Sequence, residues 1–451
     1  MNGLDRSGAF RDGLPGATLF TKLFAFRAGV SGFIFPSIFA LLVLFLQTGI
    51  SYYVSIQTIA MLLVIVAVLR AGAWPRDFYL PLSVFFLFSG LLLFTGAIQP
   101  STVSQNSGNV LITSIGVIGY VGLFLASATL RPADPKWLLL VFKRSSALII
   151  TSIVLLVVVM ESGIVAFLDR EYFIFQNVDL ITNYSAMDSL IADMAMRHAR
   201  NIQPDIDLFY GEQSYLSLIL FVCLVSNIVS SRALEFQTLP HSRPSRSGFY
   251  VPGISPLLLF GALGCMIYIR SFSSIVYIAI VGGFLVAAIF PRVGMLRLTP
   301  ATLLAGVALV GVMGLIAAEA APYYLHRIET FSTSLSAQQR FGVLLDFLPQ
   351  DFLFGLHDPD RMPSLGFHNG LIYLVMMAGA GGIAFIAYLM NRVFWLGRPL
   401  GVAMLSALTL LAIFAQNGAI LSPNKLVIWS FLILPLLSAE RFVSGGQAFR
   451  S

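Results

Sequence analysis

The residues able to do chemistry in this chain are few, and the most telling are arginines. Arg270 stands in Ile269-Arg270-Ser271-Phe272-Ser273 between two apolar stretches, Arg340 heads Arg340-Phe341-Gly342, and Arg361 follows the triplet Asp358-Pro-Asp360. A guanidinium presents forked donors that match phosphate oxygens better than an ammonium does, so cations of this type point to a phosphate-bearing ligand. Glu212, in Phe209-Tyr210-Gly211-Glu212-Gln213-Ser214, and His368, in His368-Asn369-Gly370, are the candidates for taking a proton from a hydroxyl. Three of these residues have an ordinary alternative role. Arg270 could snorkel from a helix end, Glu212 could complement a helix N-terminus, and His368 could cap backbone at a helix start. For His368, spacing alone favours capping.

Metal and nucleotide chemistry have weaker support. The triplets Asp205-Ile-Asp207 and Asp358-Pro-Asp360 could place two carboxylates on one divalent cation, but acid-rich loops produce this spacing by chance. No metal site is therefore expected. No Walker A loop, dinucleotide fingerprint, Gly-x-Ser-x-Gly elbow or His-Glu-x-x-His motif occurs, so no cofactor is expected either. Cys223 and Cys265 each lie inside an apolar run and read as small packing residues.

The elements that must position these residues follow from composition. Hydrophobic residues make up 57% of the 451 and charged residues 11%, with a mean hydropathy of +0.87. An ordinary globular chain carries about 25% charge, so the expected fold class is an all-α polytopic membrane protein. The apolar runs lack the alternation of a β-barrel. Runs long enough to cross a bilayer lie near 29–49, 52–69, 78–98, 109–130, 145–168, 209–230, 250–269, 273–290, 299–318, 367–390, 400–420 and 425–439. These predict about twelve transmembrane helices with both termini on one side. The first 28 residues carry no small-residue cleavage site ahead of a short apolar core, so the first span is expected to be an uncleaved helix.

Placing both termini in the cytoplasm puts 19 of the 27 basic residues on that side, as the positive-inside rule requires. The net charge of +6 is thus read as a record of topology, and no nucleic-acid partner is expected. The resulting division is a cytoplasmic segment 1–28, helices one to five in 29–168, and a long outer loop 169–208. Helices six to nine follow in 209–318, a second long outer loop in 319–366, helices ten to twelve in 367–439 and a cytoplasmic tail in 440–451. Loops this long usually carry function. Ser185-Ala-Met-Asp188, followed by Leu190, Ile191 and Met194, suggests an amphipathic helix at the interface, with Asp193 and Arg197 as an ordinary ion pair. Tyr172, Tyr184, Tyr323 and Tyr324 suit an interfacial belt better than a glycan path. The spans hold mostly amides and hydroxyls, such as Gln57, Asn227, Gln416 and Asn417, which argues against an ion-coupled transporter or flippase.

Twelve expected spans, a large outer loop before the tenth, and Arg340 followed by Gly355 and His368-Asn369 together resemble the O-antigen polymerase and O-antigen ligase superfamily. The motif part of the resemblance covers roughly 340–390, supported by Glu212 and the Arg270 turn. It implies a multi-pass glycosyltransferase of the bacterial inner membrane, using no metal or other cofactor, whose periplasmic loops handle undecaprenyl-diphosphate-linked oligosaccharide as donor and acceptor. Polymerisation of O-antigen, capsule or exopolysaccharide repeats is the first reading. A ligase transferring the glycan to lipid A-core in lipopolysaccharide synthesis is the second. Arg270, Arg340 and Arg361 would hold the lipid diphosphate, and His368 or Glu212 would serve the acceptor. The implied partners, besides the lipid bilayer, are a chain-length regulator and a flippase. The chain departs from the family pattern in three places: Ser271 follows its arginine where relatives have a preceding serine, 371–380 contains no acidic residue, and Gly355 stands where relatives have Gly-x-Gly.

Overall fold

The computed structural model describes residues 28–44, 56–72, 74–75, 130–161, 213–238, 255–289, 348–355, 369–415 and 423–448, with single positions between 311 and 329. The described part is mostly helical. Helices α1 (Ala28–Leu44) and α2 (Ile56–Arg70) come first, followed by a two-residue ribbon of β1 (Trp74–Pro75) and β2 (Leu130–Arg131). Then come α3 (Pro135–Glu161), α4 (Gln213–Thr238), α5 (Pro256–Tyr268) and α6 (Phe272–Ile289). The last group is α7 (Pro349–Phe354), α8 (Gly370–Ala378), α9 (Ala380–Gly397), α10 (Ala403–Ala415) and α11 (Pro423–Ala448). The helices over Pro135–Val158, Ser214–Phe236 and Ala380–Leu400 are long and apolar enough to cross a membrane. Apolar side chains all round, with backbone polar groups satisfied inside each helix, suit a bilayer.

Helix α4 is the hub. Every residue of its apolar window is buried, and it packs against α3, α5, α6, α10 and α11. Serines make this approach close: Ser217, Ser226, Ser230 and Ser231 are all buried, and small side chains let helix backbones near one another where no hydrophobic force separates lipid from protein. The Asn227 amide donates to the Lys143 carbonyl at 3.0 Å, tying α4 to α3. Beside this hub, Phe39 of α1 stacks on Phe431 of α11 with centroids 5.2 Å apart. Phe142 of α3 meets Phe431 edge-on at 5.1 Å. Offset and edge-on rings of this kind add to their area burial.

Side-chain pairings order the helix ends. Ser217 meets Ser274, Phe221 stacks on Tyr277 at 4.7 Å, and Arg232 lies over Phe284 at 4.9 Å. Partner numbers rise together, so α4 and α6 run parallel, with both N-termini at the Arg270 end. At the other end Arg232 donates to the Leu400 carbonyl at 3.0 Å, and Arg392 pairs with Glu440 at 3.2 Å. Arg70 lies over Trp137 there too, at 5.3 Å, and the Asp134 carboxylate accepts the Trp137 N–H to start α3. All these cations lie at the end of the bundle opposite Arg270.

The spans expected near 78–98, 109–130 and 299–318 lie almost entirely outside the described residues, and among the described ones the fifth and tenth differ from expectation. The fifth, near 145–168, is a helix that already begins at Pro135, because Pro at its first position and the Asp134 cap start it before the apolar run does. The tenth, near 367–390, is split at Gly379 into α8 and α9. Gly379 has φ 50 and ψ −126, a conformation that only glycine adopts readily. A Cβ on Gly382 would strike the Leu374 carbonyl oxygen and lie 2.7 Å from its carbon. Residues eight apart in a straight helix are separated by about 12 Å along the axis. Helix α8 therefore folds back across α9 and does not extend it.

Candidate functional site

Arg270 joins the C-terminal end of α5 to the N-terminal end of α6, and it is the only non-glycine with positive φ, at 54°, among the described residues. A left-handed residue bearing a Cβ costs about 1–2 kcal/mol. The surrounding hydrogen bonds hold it there. The Ile269 N–H donates to the Cys265 carbonyl at 2.8 Å, the Arg270 N–H to Ile267 at 3.2 Å, and the Ser274 N–H to Ser271 at 3.0 Å. Buried Ile269 on one side and buried Ser271 on the other fix the turn between two helices packed on α4. Arg270 itself is half-buried.

Around the turn lies a set of hydroxyls. Ser271 and Ser273 share a hydrogen bond of 2.8 Å, and Ser217 of α4 and Ser274 of α6 share one of 2.7 Å. All four serines are buried. Tyr324 donates to the Ile267 carbonyl at 3.2 Å, so this side chain is tied to the last turn of α5 beside Arg270. Ile289 and Tyr324 thus lie at opposite ends of α6.

The electrostatics at this end favour an anion. The N-termini of α4 and α6 carry the positive ends of their macrodipoles and meet beside the Arg270 turn. The backbone of Arg270 thus sits where two helix N-termini meet among buried serine hydroxyls, a setting in which a low dielectric strengthens electrostatic interactions.

Of the residues singled out from sequence, Arg270 is described with its surroundings. Glu212, Arg340, Arg361 and His368 lie outside the described residues, as do Asp205, Asp207, Asp358, Asp360 and the 185–194 stretch. Gln213, which follows Glu212 in sequence, opens α4. The neighbour of His368 is placed: Asn369 is buried, and its side-chain oxygen accepts from the Leu371 N–H at 3.0 Å and the Ile372 N–H at 3.4 Å. Asn369 is therefore the N-cap of α8, the role that a histidine one position earlier had been expected to share. Gly355, with φ 88, closes α7 by donating to the Asp351 carbonyl at 2.9 Å. Among the described residues no three His, Cys, Asp or Glu side chains group as metal ligands.

Sequence reasoning assigned Tyr324 to an interfacial belt and missed its bond to the turn. No local signal distinguishes it from its neighbour Tyr323, because its partner lies 57 residues away in sequence. Comparison with known proteins returns no matching family model, no matching curated protein and no matching solved structure.

Proposed function

We propose that this chain is a metal-independent membrane glycosyltransferase that polymerises undecaprenyl-diphosphate-linked oligosaccharide repeats. It works at the Arg270 end of the bundle, on the periplasmic face of a bacterial inner membrane. The observation that carries the reading is the Arg270 turn, a cation kept in a strained backbone conformation where two helix N-termini and four serine hydroxyls converge. Backbone strain persists where the surrounding structure over-determines it, and such positions cluster at functional sites.

The reaction makes two demands. The bond between the donor's anomeric carbon and its phosphate oxygen breaks, leaving negative charge on the diphosphate, and that charge needs donors already in place. Arg270, with Arg340 and Arg361 from the outer segment, supplies them. The acceptor hydroxyl attacks the anomeric carbon and gives up its one proton to a single base, for which His368 is the first candidate and Glu212 the alternative. No nucleotide is consumed, because the donor arrives already activated by its lipid diphosphate.

The test is reconstitution of the purified protein in vesicles with one defined lipid-linked repeat. The expected result is lengthening of the glycan on its lipid carrier. Vesicles that translocate solute without ever joining sugars would overturn the reading in favour of a transporter. With lipid A-core added to the same vesicles, transfer to it without lengthening would replace the polymerase with a ligase. In the same assay His368→Ala is expected to lower turnover by about 10²–10⁴-fold, the usual worth of a positioned base, with a smaller change in donor KM. A wild-type rate together with a lowered melting temperature would make His368 a cap of α8 and remove it from the chemistry.

A further inference from the structure

Helix α7 has its polarity inverted for a helix in water. Its one charged residue, Asp351, is 4% exposed, whereas Leu353 is 60% and Phe354 67% exposed, with Leu348 and Phe352 also open. The carboxylate is turned inward to accept the Leu348 N–H at 2.7 Å, which satisfies a helix-start donor and leaves the apolar side chains outside. Facing water, these four side chains, 39–67% exposed, forfeit roughly half of the about 1.5–3 kcal/mol that full burial of each brings, several kcal/mol in all and a large fraction of a typical domain's stability.

The position of α7 names the solvent that removes this penalty. A Cβ on Gly379 would strike the Leu353 carbonyl oxygen and lie 2.7 Å from the Gly355 nitrogen, so the end of α7 abuts the break where α9 begins. From that break Ala380–Leu400 is of membrane length, and Ile383, one turn in, is itself exposed. The apolar edge of α7 thus continues the exposed apolar surface at the start of α9. A second copy of the chain fits less well. Four partly open side chains offer on the order of 400 Å², about half of the roughly 800 Å² per partner that a stable interface buries.

We propose that α7 is embedded edge-on in the hydrocarbon of the leaflet at the Gly379 end of α9, with bilayer acyl chains covering Leu348, Phe352, Leu353 and Phe354. Part of the second long outer segment is then a membrane-penetrating element, whether or not the transferase reading holds.

The test uses the full chain in phosphatidylcholine and phosphatidylglycerol vesicles, with nitroxide labels at Phe352→Cys, Leu353→Cys and Phe354→Cys. Both native cysteines, Cys223 and Cys265, are buried and are replaced by alanine. The expected result is relaxation by dissolved oxygen exceeding relaxation by an aqueous nickel chelate at all three sites. Nickel-dominated relaxation places α7 in water, and low relaxation by both reagents places it against protein, a second copy included; either result overturns the proposal. Should the cysteine variants not fold, Phe354→Trp keeps the aromatic ring and is read in vesicles of brominated lipid. Loss of the added tryptophan's emission supports insertion, and undiminished emission overturns it.

Discussion

Replacing Arg270 with alanine is expected to cut glycan lengthening in reconstituted vesicles severely, while the protein still inserts and folds. The expected fall in rate is about 10²–10³-fold, the cost of removing one preorganised donor from a developing negative charge, and Arg340→Ala is expected to act alike. Two further substitutions separate chemistry from anchoring. Lysine snorkels as well as arginine does but lacks the planar fork. Arg270→Lys is therefore expected to stay well below the wild-type rate if the side chain grips phosphate, and to match it if the side chain only anchors the turn. Glycine accepts φ 54 without the left-handed penalty of about 1–2 kcal/mol. Arg270→Gly is thus expected to melt no lower than wild type and yet to be as inactive as the alanine variant. Initial rates and melting temperatures measured on the same preparations decide the matter. Wild-type lengthening by both Arg270→Gly and Arg270→Lys would remove the guanidinium from the mechanism.

What could be foreseen from residue order, and what could not, follows from the range of each interaction. Helix α4 was legible because its apolar run is continuous from Tyr215 to Val229 save for serines and Asn227, and those small and amide side chains are the ones used between helices. The turn at Arg270 was legible as a charge between two apolar runs. Its left-handed backbone was not, since arginine has no preference for that conformation and the hydrogen bonds enforcing it arise from packing. The cap of α8 was half legible: His368-Asn369 marks a helix start, and asparagine is the residue whose side chain holds the first amides. The inverted polarity of α7 had no signature, because Pro349-Gln-Asp-Phe-Leu-Phe354 is too short to show a period. The split at Gly379 was hidden for a related reason. Ala378-Gly-Ala-Gly-Gly382 continues an apolar stretch by hydropathy, and hydropathy is blind to φ.

That hidden split makes the largest stability prediction. Gly379→Ala must place a methyl group 2.5 Å from the Leu353 carbonyl carbon and 2.7 Å from the Gly355 nitrogen. Both obstacles are backbone, so neither can swing aside as a flexible side chain would. It must also hold φ 50 with ψ −126, at a strain of about 1–3 kcal/mol before any displacement is counted. Strain and collision together are expected to cost about 3 kcal/mol or more, in the tail of single-substitution effects. The expected outcome is a sharply lower melting temperature, with α7 lifted from the start of α9. Gly282→Ala on α6 is the matched control, since a Cβ there meets nothing within 4 Å and an alanine within a helix gains about 1 kcal/mol over glycine. If the two variants melt together, α8 and α9 tolerate a continuous path through residue 379, and the fold-back of α8 across α9 is wrong. If they diverge as expected, adding Leu353→Gly to Gly379→Ala recovers nothing, because the obstructing atoms belong to the main chain. Recovery would mean that the side chain, and not the backbone of α7, sets the contact.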